Sequence, residues 1–242
     1  MSATLEKKAS LKKDTGSNLR IEKTPGASLK KKPVKPQAKL GLDKSTLTLG
    51  KKDRLRALRI GLGWDPLYPP KLGLLASLMG KPKEPLGLDL DASLLVFDEH
   101  KLHIDTVWMR KMRGMDGTIR HSGDNIDGEG EGDNERILIN LEKLPSEAVH
   151  LVVTVSSFNG QQFSAIKNAR LRILDLVSKE VLHKVGLKGT GDHTGMVMAV
   201  ISRGADGWNV RNVGQPIQGR SIIEIAEAAQ AALYASRQSL SK

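Results

Sequence analysis

The chain has 242 residues, 38 Lys/Arg against 27 Asp/Glu and a formal net charge of +11, with 39% hydrophobic but only 3% aromatic residues. The absence of cysteine excludes disulfides, Cys-ligated zinc or iron–sulfur centres and thiol catalysis. No apolar run reaches the ~18 residues of a membrane helix, and the opening MSATLEKKASLKKD lacks the apolar stretch of a secretory signal. The cytoplasm is therefore the expected location, with the inner membrane surface as a peripheral docking place.

The basicity is not spread evenly. Met1 to Ile60 holds 17 Lys/Arg and 5 Asp/Glu, a net of +12, and the remaining residues net −1. Residues 1–44 are Lys-, Pro-, Ser- and Gly-rich and too poor in apolar side chains to offset chain entropy, so a disordered basic tail is expected. ASLKK occurs at Ala9–Lys13 and again at Ala27–Lys31. Lacking aromatic residues, such a tail would meet polyanions through phosphate, either a nucleic-acid backbone or an anionic membrane surface.

From Ser45 the pattern becomes short and alternating. Thr46–Leu49, Ala57–Gly61, Leu88–Phe97, Arg136–Leu141, His150–Val155, Ala169–Leu174, Met196–Ile201 and Trp208–Val213 read as strands, most of them separated by Gly, Pro, Asn or Asp. This is the pattern of an all-β, antiparallel β-sandwich, expected over residues 45–220. Between the second and third of these runs, Tyr68–Pro85 carries Leu72, Leu74, Leu75, Leu78 and Met79 between prolines and lysines and reads as a short amphipathic insertion. Ser221–Ser239 has helical periodicity instead, and a C-terminal helix packed on the domain is expected within 221–242.

His121 to Glu135, HSGDNIDGEGEGDNE, holds six carboxylates and two amides with no Lys or Arg. From Asn125 to Glu135 every second residue bears a side-chain oxygen, or at Asn125 an amide, in alternation with Gly128, Gly130 and Gly132. Carboxylates ~4 Å apart repel by about 4 kcal/mol at an effective dielectric near 20, so convergence without a cation would raise their pKa values or splay the loop, and a hard divalent ion removes the conflict. An oxygen-only donor set favours calcium. The EF-hand template fails, because a loop started at Asn125 places Arg136 at the last ligand position. In GLDLDASLL, Asp89, Asp91 and Ser93 share one strand face, with about 7 Å between successive members, and Asp65 in GLGWDP lies at another strand end.

GLGWDP, DLDAS, HSGDN with GEGEGDNE, VSSFNGQQFSAIKNARLRILD and VGQPIQGRSI together resemble the TerD family of tellurium-resistance and stress proteins. IDTVWMRKMRGMDGTIRHSGDN and HTGMVMAVI look most like its TerZ branch. The resemblance implies a cytoplasmic β-sandwich of the TerD type that binds calcium (Ca2+) through acidic loops and acts with other Ter-system proteins. It implies Asp89, Asp91, Asp124, Asn125, Asp133, Asn134 and Glu135 as ligands, followed by Asp65 and Glu129. The sequence departs from the family pattern at Asn134, where aspartate is usual, and at Asp127, where threonine is usual.

No enzyme is expected. The six histidines are scattered, no GxSxG or HExxH context occurs, and His100 and His103 make only a feeble zinc pair. His121 is expected to orient the acidic loop by hydrogen bonding. The competing class is a metal-independent adaptor whose tail, residues 1–44, docks on nucleic acid or anionic membrane.

Overall fold

The computed structural model describes residues 46–47, 54–66, 88–166, 168–187, 190–219 and 221–235. The expected disordered tail 1–44 and the insertion Tyr68–Pro85 lie outside these residues. The chain divides into two units, Met1–Pro36 and Gln37–Lys242, and every described residue belongs to the second.

Two six-stranded sheets carry the second unit. In chain order the strands are β1 (Thr46–Leu47), β2 (Ala57–Gly63), β3 (Asp91–Phe97), β4 (His103–Val107), β5 (Arg113–Gly114), β6 (Ile119–His121), β7 (Glu135–Asn140), β8 (His150–Ser156), β9 (Arg170–Asp175), β10 (Val181–Gly186), β11 (Gly195–Gly204) and β12 (Gly207–Ile217). They are followed by helix α1 (Ile222–Ala235). The first sheet runs β1-β12-β11-β8-β3-β4 and the second β10-β9-β2-β7-β6-β5, with all neighbours antiparallel. The expected sandwich with a C-terminal helix is thus the observed architecture.

Period-two burial builds the space between the sheets. Leu58, Ile60 and Leu62 of β2 are fully buried against Ile137 and Ile139 of β7 and Leu171 and Ile173 of β9. Strand β3 is buried on both faces. Ala92, Leu94 and Val96 enter the sandwich, whereas Leu95 and Phe97 meet Ile225, Ala229, Ala232 and Leu233 of α1. Each such large side chain contributes roughly 1.5–3 kcal/mol on burial. A register shift between Val197 and Ala199 rephases β11, so that Val197 and Val200 face the helix while Met196, Met198, Ala199 and Ile201 face the sandwich.

The helix begins on a capping box. Ser221 N donates to Glu224 Oε2 at 3.0 Å, and Glu224 N donates to Ser221 Oγ at 3.3 Å. Near its other end, Lys101 Nζ donates to Leu233 O at 2.8 Å and Gln230 Nε2 donates to Lys101 O at 2.7 Å, which ties the helix to the β3–β4 turn. One end of the sandwich, where β3 begins and the β6–β7 loop returns, collects the acidic residues.

Candidate metal centre

The β6–β7 loop is shaped by its amides. Asn125 Oδ1 accepts from Gly128 N at 2.8 Å and its Nδ2 donates to Glu129 O at 3.1 Å. Asn134 Nδ2 donates to Gly128 O at 2.9 Å and to Glu129 O at 3.1 Å, while its Oδ1 accepts from Trp64 N at 2.8 Å. Trp64 Nε1 in turn donates to Leu88 O at 2.9 Å, linking the loop to the approach of β3. Gly128 has φ +78° and packs directly against the Trp64 ring, where a Cβ has no room.

Asp89, Asp91 and Asp124 each bring a carboxylate oxygen within 4.8 Å of the others. Asp91 is fully buried, Asp89 nearly so, and Asp124 is exposed, so the group reaches from the interior to solvent. Neither oxygen of Asp91 meets a donor at hydrogen-bond geometry, and Asp89 Oδ1 is equally without one. Asp89 Oδ2 accepts only from Asn159 Nδ2 at 3.2 Å. Across β3 and β8, Asp91 faces Ser156 and Ser93 faces Thr154, and the hydroxyls of all three partners are buried without a bond.

Glu135 closes the inner side. Its Oε2 accepts from Ala92 N at 2.8 Å and its Oε1 from Asn125 N at 3.3 Å, joining β7, β3 and the loop. His121 Nδ1 accepts from Gly123 N at 3.1 Å, and its Nε2 lies 3.5 Å from Glu135 Oε2.

The electrostatics follow from burial. Desolvation, then the charges of Asp89, Glu135 and Asp124, push Asp91 up to about 8, opposed by the Phe158 backbone amide. Desolvation, then Asp124 and Glu135, push Asp89 up to about 6. A buried carboxylate with unmet oxygens is costly unless a proton or a cation joins it. The donors are oxygen only, which suits a hard divalent ion such as calcium.

Other residues expected as ligands lie elsewhere. Asp133 sits on the outer face of the second sheet, where its Oδ2 accepts from Arg172 Nε at 3.1 Å and Nη2 at 2.9 Å, with Arg59 Nε at 3.9 Å. Asn125 and Asn134 spend their side chains on the loop backbone. Asp65 Oδ2 accepts from Asn168 Nδ2 at 2.6 Å, and Glu129 is exposed, contributing its backbone carbonyl to the loop bonds. His103 Nε2 lies 2.6 Å from Thr106 Oγ1, whereas His100 stands exposed beside Glu99. The mouth of the acidic group is an open cleft of about 520 Å³ lined by Asp89, Asp124, Met109, Arg110, Phe158 and Asn159. Asn159 and Arg110 carried no expectation; the Asn-Gly turn at 159–160, following β8, was the available signal for the first.

The TerD domain profile matches residues 36–228. Tellurium resistance protein TerZ of Serratia marcescens is 40% identical over 178 residues, covering 73% of this chain and 89% of the relative. Stress response protein SCP2 of Bacillus subtilis (strain 168) is 32% identical over 176 residues, covering 70% and 86%. A crystal structure of a homologue of telluride resistance protein (TerD) from Streptomyces coelicolor A3(2) superposes with a TM-score of 0.58 at 21% identity, covering 71% of this chain and 95% of that one. The chain belongs to the TerD family.

Proposed function

We propose that this chain is a calcium-binding, non-enzymatic scaffold of a tellurium-resistance and general stress-response system, working with other Ter-system proteins. The relatives named for tellurium resistance and stress response support the setting. The observation that carries the calcium reading is Asp91, fully buried with both oxygens unmet and within 4.8 Å of Asp89 and Asp124 oxygens.

On this reading Asp89, Asp91 and Asp124 hold the ion, with Glu135 as the adjoining charge. Calcium supplies countercharge there, which removes the repulsion among the carboxylates and locks β3, the β6–β7 loop and the turn after β8 together. The buried hydroxyls of Ser93, Thr154 and Ser156 favour water or ion oxygen chemistry over apolar ligands.

Melting metal-free protein alone, then with millimolar calcium, then with millimolar magnesium tests the reading. Ligand at 100 times its dissociation constant adds about 2.7 kcal/mol, a rise of roughly 5–10 °C for a domain this size. Unchanged melting with both ions overturns it. That outcome would favour the second reading, a metal-independent adaptor, which rests on the net +12 carried by residues 1–60. Among the described residues no helix is long and apolar enough to cross a membrane.

A further inference from the structure

The outer face of the second sheet is an arginine field. With Leu58, Ile60 and Leu62 pointing into the sandwich, Arg59 of β2 must point out, and the register carries the same face across its neighbours. Arg170 and Arg172 of β9, Arg136 of β7 and Arg120 of β6 share it. The edge strands add Arg113, opposite Arg120, and Lys184, opposite Arg172. Every one of the six strands therefore contributes at least one cation.

This concentration is segregation rather than overall charge, because residues 61–242 net −1. Among the described residues one carboxylate lies over the face, that of Asp133 from the β6–β7 loop, whose side chain is only 2% exposed beneath Arg172 and Arg59. It anchors rather than neutralises the field. Arg136 Nη2 donates to Asp133 O at 3.0 Å, Arg170 Nη2 to Gly132 O at 2.6 Å, and Arg120 Nε to Gly117 O at 3.0 Å. Each of these bonds occupies one N–H of a five-donor fork and fixes where the others point.

We propose that this face binds the phosphate backbone of duplex nucleic acid without sequence preference. Same-face residues recur about 7 Å apart along a strand, close to the separation of neighbouring phosphates on one polynucleotide chain, and the six strands span about 24 Å. Tethered guanidiniums fit a ligand whose phosphates are themselves fixed, and bidentate pairing with phosphate is the chemistry arginine serves best. Among the described residues the face has no aromatic residue, so bases are not stacked there and single strands gain nothing over duplex.

A bilayer fits less well. Leu138 and Val181 are the exposed apolar side chains in these strands, and among the described residues no Trp or Tyr anchor accompanies them on the face. With the usual twist of about 20–25° per strand pair, a six-stranded sheet is a saddle, whose concave diagonal accepts a rod rather than a plane. Exposed Glu131 adjoins Gly132, whose carbonyl Arg170 holds, and so borders the face where the phosphate track would stop.

The test uses the full chain and a fluorescent duplex of about 20 base pairs, with affinity measured between about 0.05 and 0.2 M salt. The combined variant Arg120→Gln, Arg136→Gln, Arg170→Gln keeps the Arg172–Asp133 pair but loses three bonds to backbone carbonyls, so it is expected to melt below the parent and still fold, and binding is read well below its melting temperature. Its affinity should fall at least about tenfold, and its logarithmic salt slope should drop by about 3, near 0.9 for each lost phosphate contact. A second variant, Arg113→Glu with Lys184→Glu, alters only the two edge strands and should weaken binding in the same direction. Neutralising Lys30, Lys31 and Lys32 should subtract its own increment and leave the difference made by the face variants intact. Parent-like affinity and slope in both face variants would assign all binding to the Lys-rich segment and overturn the proposal. It is also overturned if the face variants bind duplex normally but lose binding to vesicles of equal parts phosphatidylglycerol and phosphatidylcholine.

Discussion

The carboxylate of Asp133 lies over Gly61 in the middle of the second sheet, in space that the Cβ of any other residue at 61 would fill. Glycine at 61 is therefore what lets the acidic loop lay one carboxylate on the outer face and deliver it to Arg172. Gly61→Ala should push Asp133 off Arg172 and cost about 1–3 kcal/mol, as overpacking of a filled site does. Thermal melting should show a loss of roughly 2–10 °C. Gly186→Ala, where nothing lies within 4 Å of the added Cβ, is the control and should change little.

Asp133 and Asp91 separate structural charge from the charge proposed to hold an ion. Asp133→Asn breaks a charge-assisted pair and should destabilise by about 1.5–3 kcal/mol in chelator and in calcium alike. Asp91→Asn removes a buried carboxylate that no side chain pairs and that only the Phe158 backbone amide approaches, so it should leave metal-free protein about as stable as the parent or more so, and abolish the calcium-induced rise. Equal calcium-induced shifts in Asp91→Asn and parent protein would remove Asp91 from the ion site. Calorimetry of the two variants with and without calcium reads both effects.

The helix offers an independent check on what holds the first sheet's outer face. Ser221→Ala removes the hydroxyl that accepts from Glu224 N and should lower stability by about 0.5–2 kcal/mol in urea unfolding. The calcium-induced shift should be unaffected, since α1 covers Leu95 and Phe97 rather than the acidic end of β3.

Much of this fold was legible because alternation and burial coincide. Leu58, Ile60 and Leu62 announce β2, and Ile137 and Ile139 announce β7, since each has one wet face. Strands β4 and β10 were not legible. Each is a sheet edge with one partner, and exposed Ile104 and Val181 break the pattern that marks a half-buried strand. At the site, the pairing of Asp89 with Asp91 could be read from their spacing, but the fate of the acidic loop could not. Its alternation suggests side chains converging on one centre, yet Asp133 turns to Arg172 on the second sheet while Asp124 and Glu135 lie beside Asp91. The arginines that draw Asp133 away arrive from β2 and β9, Arg172 being 39 residues distant in sequence. Local spacing carries no trace of such a partner.

The acidic centre also sets a pH dependence with a definite sign. Desolvation and neighbouring carboxylates push Asp91 up to about 8 and Asp89 to about 6 in the folded protein, whereas both titrate near 4 once unfolded. Between these values the folded state keeps protons that the unfolded chain has released, so the stability of metal-free protein falls as pH rises. Half-buried His150 and buried His183 and His193 are each pushed down by desolvation and act oppositely, gaining stability as pH rises toward their unfolded value of about 6.5. From about pH 7.5 to 8.5 the histidines are largely neutral in both states and Asp89 is largely ionised in both, which leaves Asp91 as the group of this set that still titrates. The melting temperature of metal-free protein should decline across that interval, and Asp91→Asn should flatten the decline. On the proposed reading calcium would bind the ionised form, so its stabilising shift should grow with pH over the same range and its binding should release a proton. A parent curve parallel to that of Asp91→Asn would show that Asp91 is ionised in the fold without help, and would remove the electrostatic reason for a cation beside it.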